Sequence, residues 1–138
     1  MSDPLQDAVH ALCEEVGLPA SAPKSNGRYE LEVDGATLWA FPLTNGSVVL
    51  SALIGKVRSI AEARRESVQE LLGSCMTLHG ARFRKQGLRE SMSIESDIEE
   101  LILWRKFTGH GPSISEFLQS VESMLNEVRF WKRWLLSI

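Results

Sequence analysis

The clearest pattern of apolar and polar positions lies between residues 113 and 136, near the end of the chain. Its apolar side chains recur at the three- and four-residue spacing of one helical face. They are Ile114, Phe117, Leu118, Val121, Leu125, Val128, Trp131 and Leu135. Ser113 precedes the pattern and Glu116 follows three residues later, which is the spacing of a capping box. The sequence therefore predicts a long amphipathic helix, and such a helix needs an apolar surface to cover.

A shorter helix is predicted at the start of the chain, from residue 4. Its apolar positions share one helical face, and Gly17 is the expected C-terminal stop. Those positions are Leu5, Ala8, Val9, Leu12 and Val16.

A second helix is predicted in the middle of the chain. Ser59 and Glu62 have capping-box spacing and start it, and Gly80 is its expected stop. Its apolar face consists of Ile60, Val68, Leu71, Leu72, Cys75 and Met76. An alternative ends this helix at Gly73 and makes residues 75–83 a strand, because glycine costs a helix ~1 kcal/mol relative to alanine.

Five strands are predicted between these helices. Residues 28–33 alternate strictly between polar and apolar side chains, the pattern of a half-buried strand. The Asp34-Gly35 and Asn45-Gly46 pairs indicate tight turns, because glycine accepts the positive φ of a type I′ turn. Further strands are expected at residues 37–43, 47–54, 88–95 and 100–107, and residues 96–99 form the last turn.

These elements predict a single α+β domain over residues 1–138, built from a five-stranded antiparallel sheet and three helices. Their order along the chain is helix, three strands, helix, two strands, helix. The length of 138 residues and the 43% share of hydrophobic residues are those of one globular domain.

The predicted strands carry more apolar surface than three helices can cover. In the last strand, Leu101 and Leu103 face one way while Ile102 and Trp104 face the other. If the first and last helices cover one face, the middle helix must cover the other face largely alone. We therefore expect part of that face to be covered by a second copy of the chain or by another protein. The alternative is that the middle helix and the loops suffice within a monomer.

Composition and charge weigh against several classes of function. A net charge of −3 and a pI near 5.6 disfavour nucleic-acid binding, which depends on cationic contacts to phosphate. No apolar run approaches the length of a membrane span, and no cleavable secretory signal is recognisable. Cys13 and Cys75 do not make a disulfide framework. We therefore expect a reduced, cytoplasmic protein that binds neither nucleic acid nor membrane.

Candidate catalytic and metal-binding residues are few. The pairs His10 with Cys13 and Cys75 with His79 each have the spacing of half a metal site. Buried cysteines and helix-end histidines explain both pairs more simply, and no third group completes a Cys-His nucleophile. We therefore predict no catalytic residue, no metal, no cofactor and no enzymatic activity.

Two clusters of charge are interpreted as solvated surface. The acidic cluster lies around the last predicted turn, and the basic cluster lies in and after a polar connection at residues 81–87. Their members are Glu95, Asp97, Glu99 and Glu100 in the first, and Arg82, Arg84, Lys85 and Arg89, around Phe83, in the second. Trp131 and Trp134 are expected to anchor the core, and the alternative is that they line an interface.

The order of elements and three stretches of sequence resemble a known family. The first helix ends in Val16-Gly17-Leu18-Pro19, the last hairpin holds residues 91–95 and 99–107, and the last helix holds Glu116-Phe117-Leu118 and Trp131. These stretches resemble the class I type III secretion chaperones of the Tir-chaperone (CesT-type) family. Two regions depart from the family pattern, namely residues 81–87 and a last hairpin without the Leu-x-Leu-Asp form.

The resemblance implies a binding protein without enzymatic activity. Members of this family are small, acidic, cytoplasmic homodimers of Gram-negative bacteria. Each dimer binds a segment near the N-terminus of a secreted effector and keeps that segment soluble, non-globular and competent for secretion. An alternative on the same fold is a regulatory protein that sequesters a transcriptional regulator or an anti-activator of the secretion system.

The resemblance also suggests where each partner binds. By likeness to the family, the middle helix forms the dimer interface through Val68, Leu71, Leu72 and Cys75. The effector segment is expected on the first helix and on exposed strand faces, at Leu5, Val9, Leu38, Ala40, Ile102 and Trp104.

Overall fold

A five-stranded antiparallel sheet organises the structure, a computed structural model that describes residues 4–19, 22–24, 27–44, 46–86, 90–95, 99–107 and 111–136. The strands are β1 Tyr29–Val33, β2 Ala36–Pro42, β3 Val48–Lys56, β4 Ser91–Glu95 and β5 Glu100–Phe107. The helices are α1 Pro4–Val16, α2 Val57–Arg64, α3 Val68–Gln86 and α4 Ile114–Leu136. The predicted α+β class is confirmed, with four helices among the described residues in place of three. In the part of the chain that is described, no helix has the length and apolar character needed to cross a membrane.

The strand order is β1-β2-β3-β5-β4, and every neighbouring pair is antiparallel. The first three strands form a meander, and β5 then inserts between β3 and β4. The predicted turn at Asp34-Gly35 is confirmed, because φ is 51° and 77° at these residues, as a type I′ turn requires. Asn45 and residues 96–98 lie outside the described residues, so those two predicted turns stay predictions.

The C-terminus of α1 and the N-terminus of α4 are those that the sequence predicts. Gly17 has a φ of +75°, and the Leu18 N–H donates to the Cys13 carbonyl at 2.8 Å, which closes α1 in a Schellman arrangement. At the start of α4, the Glu116 N–H donates to Ser113 Oγ at 3.1 Å.

The predicted middle helix is two helices, so its capping box and its single span are wrong. β3 runs directly into α2, whose N-cap is Lys56, so Ser59 lies inside the helix. Arg65 then adopts a left-handed φ of 57° and ends α2. The true capping box is Ser67 with Glu70, whose reciprocal hydrogen bonds measure 3.0 and 3.1 Å and start α3.

Helix α3 is also longer than predicted. It continues through Gly80 to Gln86, so the expected stop at Gly80, the strand alternative for residues 75–83 and the exposed connection at residues 81–86 are wrong. The inward positions Leu71, Cys75 and Arg82 continue on one side of this helix, which keeps it packed past the glycine. Residues 87–89 lie outside the described residues.

The core lies between one face of the sheet and helices α1 and α4. Buried side chains meet in register across all five strands at Leu31, Leu38, Ala52, Leu103 and Met92. Helix α4 packs over β3 and along α1, and its Phe117 and Trp131 are fully buried. The long amphipathic helix thus covers the sheet, as its apolar face predicts.

Helix α3 lies in the same layer as the other helices, not on the opposite face of the sheet. It contacts α2, and its Arg82 and His79 reach Glu127 and Trp131 of α4. The expectation that the middle helix covers the second face of the sheet is therefore wrong. That second face, which we call the outer face, keeps its apolar side chains partly exposed.

A candidate protein-binding surface

The outer face of the sheet is aromatic and aliphatic. Its side chains alternate along the strands with those of the core, so that Trp39 lies between the buried Leu38 and Ala40. The apolar members are half-buried: Trp39, Phe41, Val49, Leu53, Ile102 and Trp104. They stand on three adjacent strands, β2, β3 and β5. A continuous half-exposed apolar face of this kind is a candidate surface for binding another polypeptide.

Two tryptophans dominate the centre of the outer face. The register places Trp39, Ser51 and Trp104 side by side across three strands. Ser51 is only 4% exposed although it points away from the core, because a large side chain stands on each side of it. The two indoles therefore flank a small residue and offer flat apolar surfaces to a ligand.

Polar contacts fix the orientation of Trp39. Its indole Nε1–H donates to Glu30 Oε1 at 3.2 Å, and Lys24 Nζ lies 2.7 Å from Glu30 Oε2. These bonds, first from Lys24 and then from Trp39, lower the pKa of Glu30 below its usual value. On the other side, the guanidinium of Arg28 lies 4.8 Å from the centroid of the Trp39 ring and 5.6 Å from that of Phe41. These contacts thus hold the Trp39 side chain in one orientation.

The sheet has two edge strands, β1 and β4, which lie at the two ends of the strand order. In the described part of the chain, each pairs with a strand on one side only. An edge strand can accept an extended peptide through main-chain hydrogen bonds, and alternate side chains of that peptide then lie on the outer face.

The predicted effector-binding residues divide between two sides of the molecule. Ile102 and Trp104 lie on the outer face, as expected. Leu38 and Ala40 are fully buried on the core side, and Leu5 and Val9 of α1 are buried under the sheet. The expectation that Leu38 and Ala40 lie on an exposed strand face is therefore wrong, while the effector contact expected at Leu5 and Val9 stays a prediction.

The outward members of β2 are Trp39 and Phe41. The sequence could not choose between the two sides of β2, because both are apolar, and only the cross-strand register with β5 decides which side faces the helices.

A second exposed apolar surface runs along α3. Val68, Met76 and Phe83 are 37%, 57% and 51% exposed, and Leu72 beside them is half-buried. Their spacing of four, four and seven residues places them on one side of the helix. We call these four residues the α3 stripe.

The α3 stripe overlaps only partly with the predicted dimer interface. Val68 and Leu72 belong to both, whereas Leu71 and Cys75 are fully buried within the protomer and cannot contact a partner directly. Phe83 was missed because its segment was expected to be a connection. The helical spacing of Val68, Leu72 and Met76 was the signal that could have extended the surface.

Both cysteines that were considered for metal binding and catalysis are buried, whereas His10 is exposed. Burial raises the pKa of Cys75 to about 11, so its thiol is neutral at physiological pH and is a poor nucleophile or metal ligand. No group of three or more histidine, cysteine or acidic side chains suited to a metal occurs within the described ranges. Trp131 is fully buried against Phe130 and Trp134, which confirms its prediction as a core anchor.

The charged clusters are only partly solvated surface. Glu99 bonds Arg58 at the start of α2, while Arg84 and Lys85 are exposed. The prediction that the Arg82 side chain is solvated is wrong. It donates to the Glu127 carboxylate, and its guanidinium carbon lies 3.5 Å from the centroid of the Phe130 ring. Asp97 and Arg89 lie outside the described residues.

The fold is shared with proteins of type III secretion. No protein-family model matches the sequence, and no curated protein matches it. The structure is similar to that of the ExsC-ExsE complex, with a TM-score of 0.72 and 16% identity over 95% of this chain and 92% of that chain. It is also similar to the HopA1-SchA chaperone-effector complex, with a TM-score of 0.67 and 10% identity over 94% and 93% of the two chains.

A third similar structure is the Yersinia pestis type III secretion chaperone SycH in complex with a stable fragment of YscM2. The TM-score is 0.61 and the identity is 14%, over 91% of this chain and 98% of that chain. At these identities the likeness establishes the fold alone. The chain therefore has the α+β fold found in type III secretion chaperones.

Proposed function

We propose that this protein is a chaperone of type III secretion that binds a segment near the N-terminus of a secreted effector. The observation that carries the proposal is the outer face, where Trp39 and Trp104 stand partly exposed on a sheet with open edge strands. The likeness of the fold to SycH and to the HopA1-SchA complex supports it.

The bound segment is extended in this proposal. It adds to an edge strand through main-chain hydrogen bonds, and its apolar side chains pack against the aromatic rings of the outer face. Ordering an unfolded segment costs conformational entropy, so the contact surface must be large to offset that cost. The broad outer face, which spans β2, β3 and β5, suits that requirement better than a small enclosed pocket does.

The proposed activity is binding alone, without catalysis, and it takes place in the cytoplasm before the effector is secreted. A chaperone of this kind keeps its client soluble and non-globular because it covers apolar side chains that would otherwise drive folding or aggregation. Neither a nucleotide nor a metal is needed for that activity.

A homodimer is part of the proposal. The α3 stripe is the surface we assign to the second copy, because Met76 and Phe83 are large, apolar and more than half exposed in the protomer. A two-fold interface built on one helix brings the same stripe from each copy into contact. It also leaves the outer face of each sheet free for the effector.

Affinity purification from the native bacterium under secretion-inducing conditions tests the proposal. We expect a tagged chain to retain one secreted protein, held through a protease-sensitive segment near the N-terminus of that protein. The variant Trp39→Ala/Trp104→Ala should lose this partner, whereas Leu136→Ala, which truncates an exposed residue away from the sheet, should keep it. Retention of a transcriptional regulator in place of an effector would support the regulatory function instead, and no partner at all would overturn both.

A further inference from the structure

A groove of about 810 Å³ lies between the end of α1 and the first half of α4, on the opposite side of the sheet from the outer face. Four of its apolar lining residues belong to the core: Leu12, Val33, Val121 and Leu125. Val16 and Ile114 form its apolar rim and are 42% and 46% exposed. We call this feature the α1–α4 groove.

The charged rim of the α1–α4 groove is predominantly acidic. Three carboxylates line it, from Glu15, Asp34 and Glu122, together with the guanidinium of Arg129. Arg129 lies 3.2 Å from Asp34 and offsets that charge. Within the described residues, Glu15 and Glu122 form no ion pair, so the groove keeps a negative rim on both helices.

The length of the groove along α4 matches a short helix. Its α4 wall carries Ile114, Leu118, Val121 and Leu125, a ridge at helical spacing. That ridge spans about 16 Å, the length of roughly three helical turns. A third helix laid between two others packs its apolar ridge into such a groove at an axial separation of roughly 8–10 Å.

We propose that the α1–α4 groove binds a cationic amphipathic helix of the partner protein, with aliphatic residues toward the core and lysine or arginine beside Glu15 and Glu122. The inference rests on the proposed function and adds to it, since it names the chemistry of a second bound segment. Aliphatic side chains cover Val16 and Ile114, and the flanking cations complement the two free carboxylates. The charge of the rim excludes an acidic helix of the same apolar pattern.

Two synthetic amphipathic peptides of about 14 residues, long enough to cover the ridge, test this inference. Both carry leucine at helical spacing, and they differ only in having lysine or glutamate at the flanking positions. Fluorescence anisotropy of the labelled peptides on the full-length protein gives their affinities. We expect the lysine peptide to bind about ten-fold tighter than the glutamate peptide, since its cations pair with Glu15 and Glu122 whereas glutamate side chains are repelled by them.

Two variants locate the binding. Glu15→Lys/Glu122→Lys should reverse the preference between the peptides, while the matched control Glu14→Lys/Glu62→Lys, which makes the same change of charge outside the groove, should leave it unaltered. Val16→Ser/Ile114→Ser should weaken both peptides without unfolding the chain, because both residues are exposed. The inference would be overturned by equal affinities for the two peptides or by no binding of either peptide. It would also be overturned if the control variant changed the preference between the peptides as much as Glu15→Lys/Glu122→Lys does.

The same variants separate this inference from the proposed function. If the native partner stays bound to Glu15→Lys/Glu122→Lys and to Val16→Ser/Ile114→Ser, the groove is not its site, yet the chaperone proposal stands. If these variants change the mass of the protein in light scattering instead, a second copy occupies the groove and the inference is wrong.

Discussion

Arg82 of α3 and Glu127 of α4 form an ion pair in which one guanidinium nitrogen lies 2.7 and 3.0 Å from the two carboxylate oxygens. The side chains are 18% and 5% exposed, so the pair is largely removed from water. It holds the C-terminal half of α3 against the helix that covers the sheet.

Removal of Arg82 should therefore destabilise the fold. Arg82→Ala leaves the Glu127 carboxylate buried without its partner, and we expect the free energy of unfolding to fall by about 3 kcal/mol. Urea denaturation followed by circular dichroism measures the change. Arg58→Ala, which removes an exposed pair with Glu99, is the control and should leave the urea midpoint unchanged. Similar losses in the two variants would show that the burial of the pair is irrelevant.

The α3 stripe should govern dimerisation without governing folding. Met76→Glu or Phe83→Glu places a charge in the proposed dimer interface, so we expect the dissociation constant of the dimer to rise by about 30-fold or more. Multi-angle light scattering gives the mass, and the thermal midpoint of the monomer gives the integrity of the fold. By contrast, Leu71→Glu buries a charge inside the protomer and should unfold it. A Phe83→Glu protein that remains dimeric at low concentration would rule out this interface.

The capping box at the start of α3 should make stability depend on pH. The Ser67 backbone N–H and then its hydroxyl contacts lower the pKa of Glu70 below its reference of 4.5. A carboxylate with a depressed pKa in the folded state contributes stability above its unfolded pKa, and that contribution is lost as the pH falls through the folded value. Ser67→Ala should cost about 1 kcal/mol at neutral pH.

That cost should shrink as the pH falls from 4.5 through the lower pKa of folded Glu70, because the carboxylate then becomes protonated in the folded chain as well as in the unfolded chain. Urea denaturation at neutral and acid pH measures it. Ser59→Ala is the matched control, because Ser59 has the same sequence spacing to an acidic residue but lies inside α2 and caps nothing. A larger loss in Ser59→Ala than in Ser67→Ala would contradict the placement of the helix start.

Both cysteines should be unreactive in the folded protein. Cys13 and Cys75 are buried, and burial raises the pKa of Cys75 to about 11, so little thiolate forms at neutral pH. A chromogenic disulfide reagent should label neither thiol in buffer and both in concentrated urea. Rapid labelling of Cys75 in the native state would show that α3 opens away from α2 and α4.

The sequence predicts where the helices and turns lie better than it predicts which elements adjoin one another. Helices α1 and α4 follow from their own periodicity, and the Asp34-Gly35 turn follows from local backbone preference. The two segments Ser59-Ile-Ala-Glu62 and Ser67-Val-Gln-Glu70 offer the same cap, and only the continuation of β3 into α2 decides between them.

The candidate site was harder to predict for a related reason. Trp39 and Leu38 are both large apolar side chains, yet Leu38 faces the core and Trp39 faces outward. The register of the hydrogen bonds between β2 and β3 decides which side chain faces which way. In β5 the alternation separates Leu101 and Leu103 from Trp104, and the structure places Trp104 on the partly exposed side. Register, rather than composition, therefore decides which residues can meet a partner.

The pairing of β3 with β5 also constrains how the chain folds while it is being synthesised. These central strands are joined only after α2, α3 and β4 have been synthesised, so a chain emerging from the ribosome first holds a three-stranded meander with an unpaired third strand. Neither β5 nor α4, which packs over β3, has been synthesised at that stage. The growing chain therefore passes through a stage in which its future core is exposed to water, as are the apolar side chains of the segment that we propose it binds.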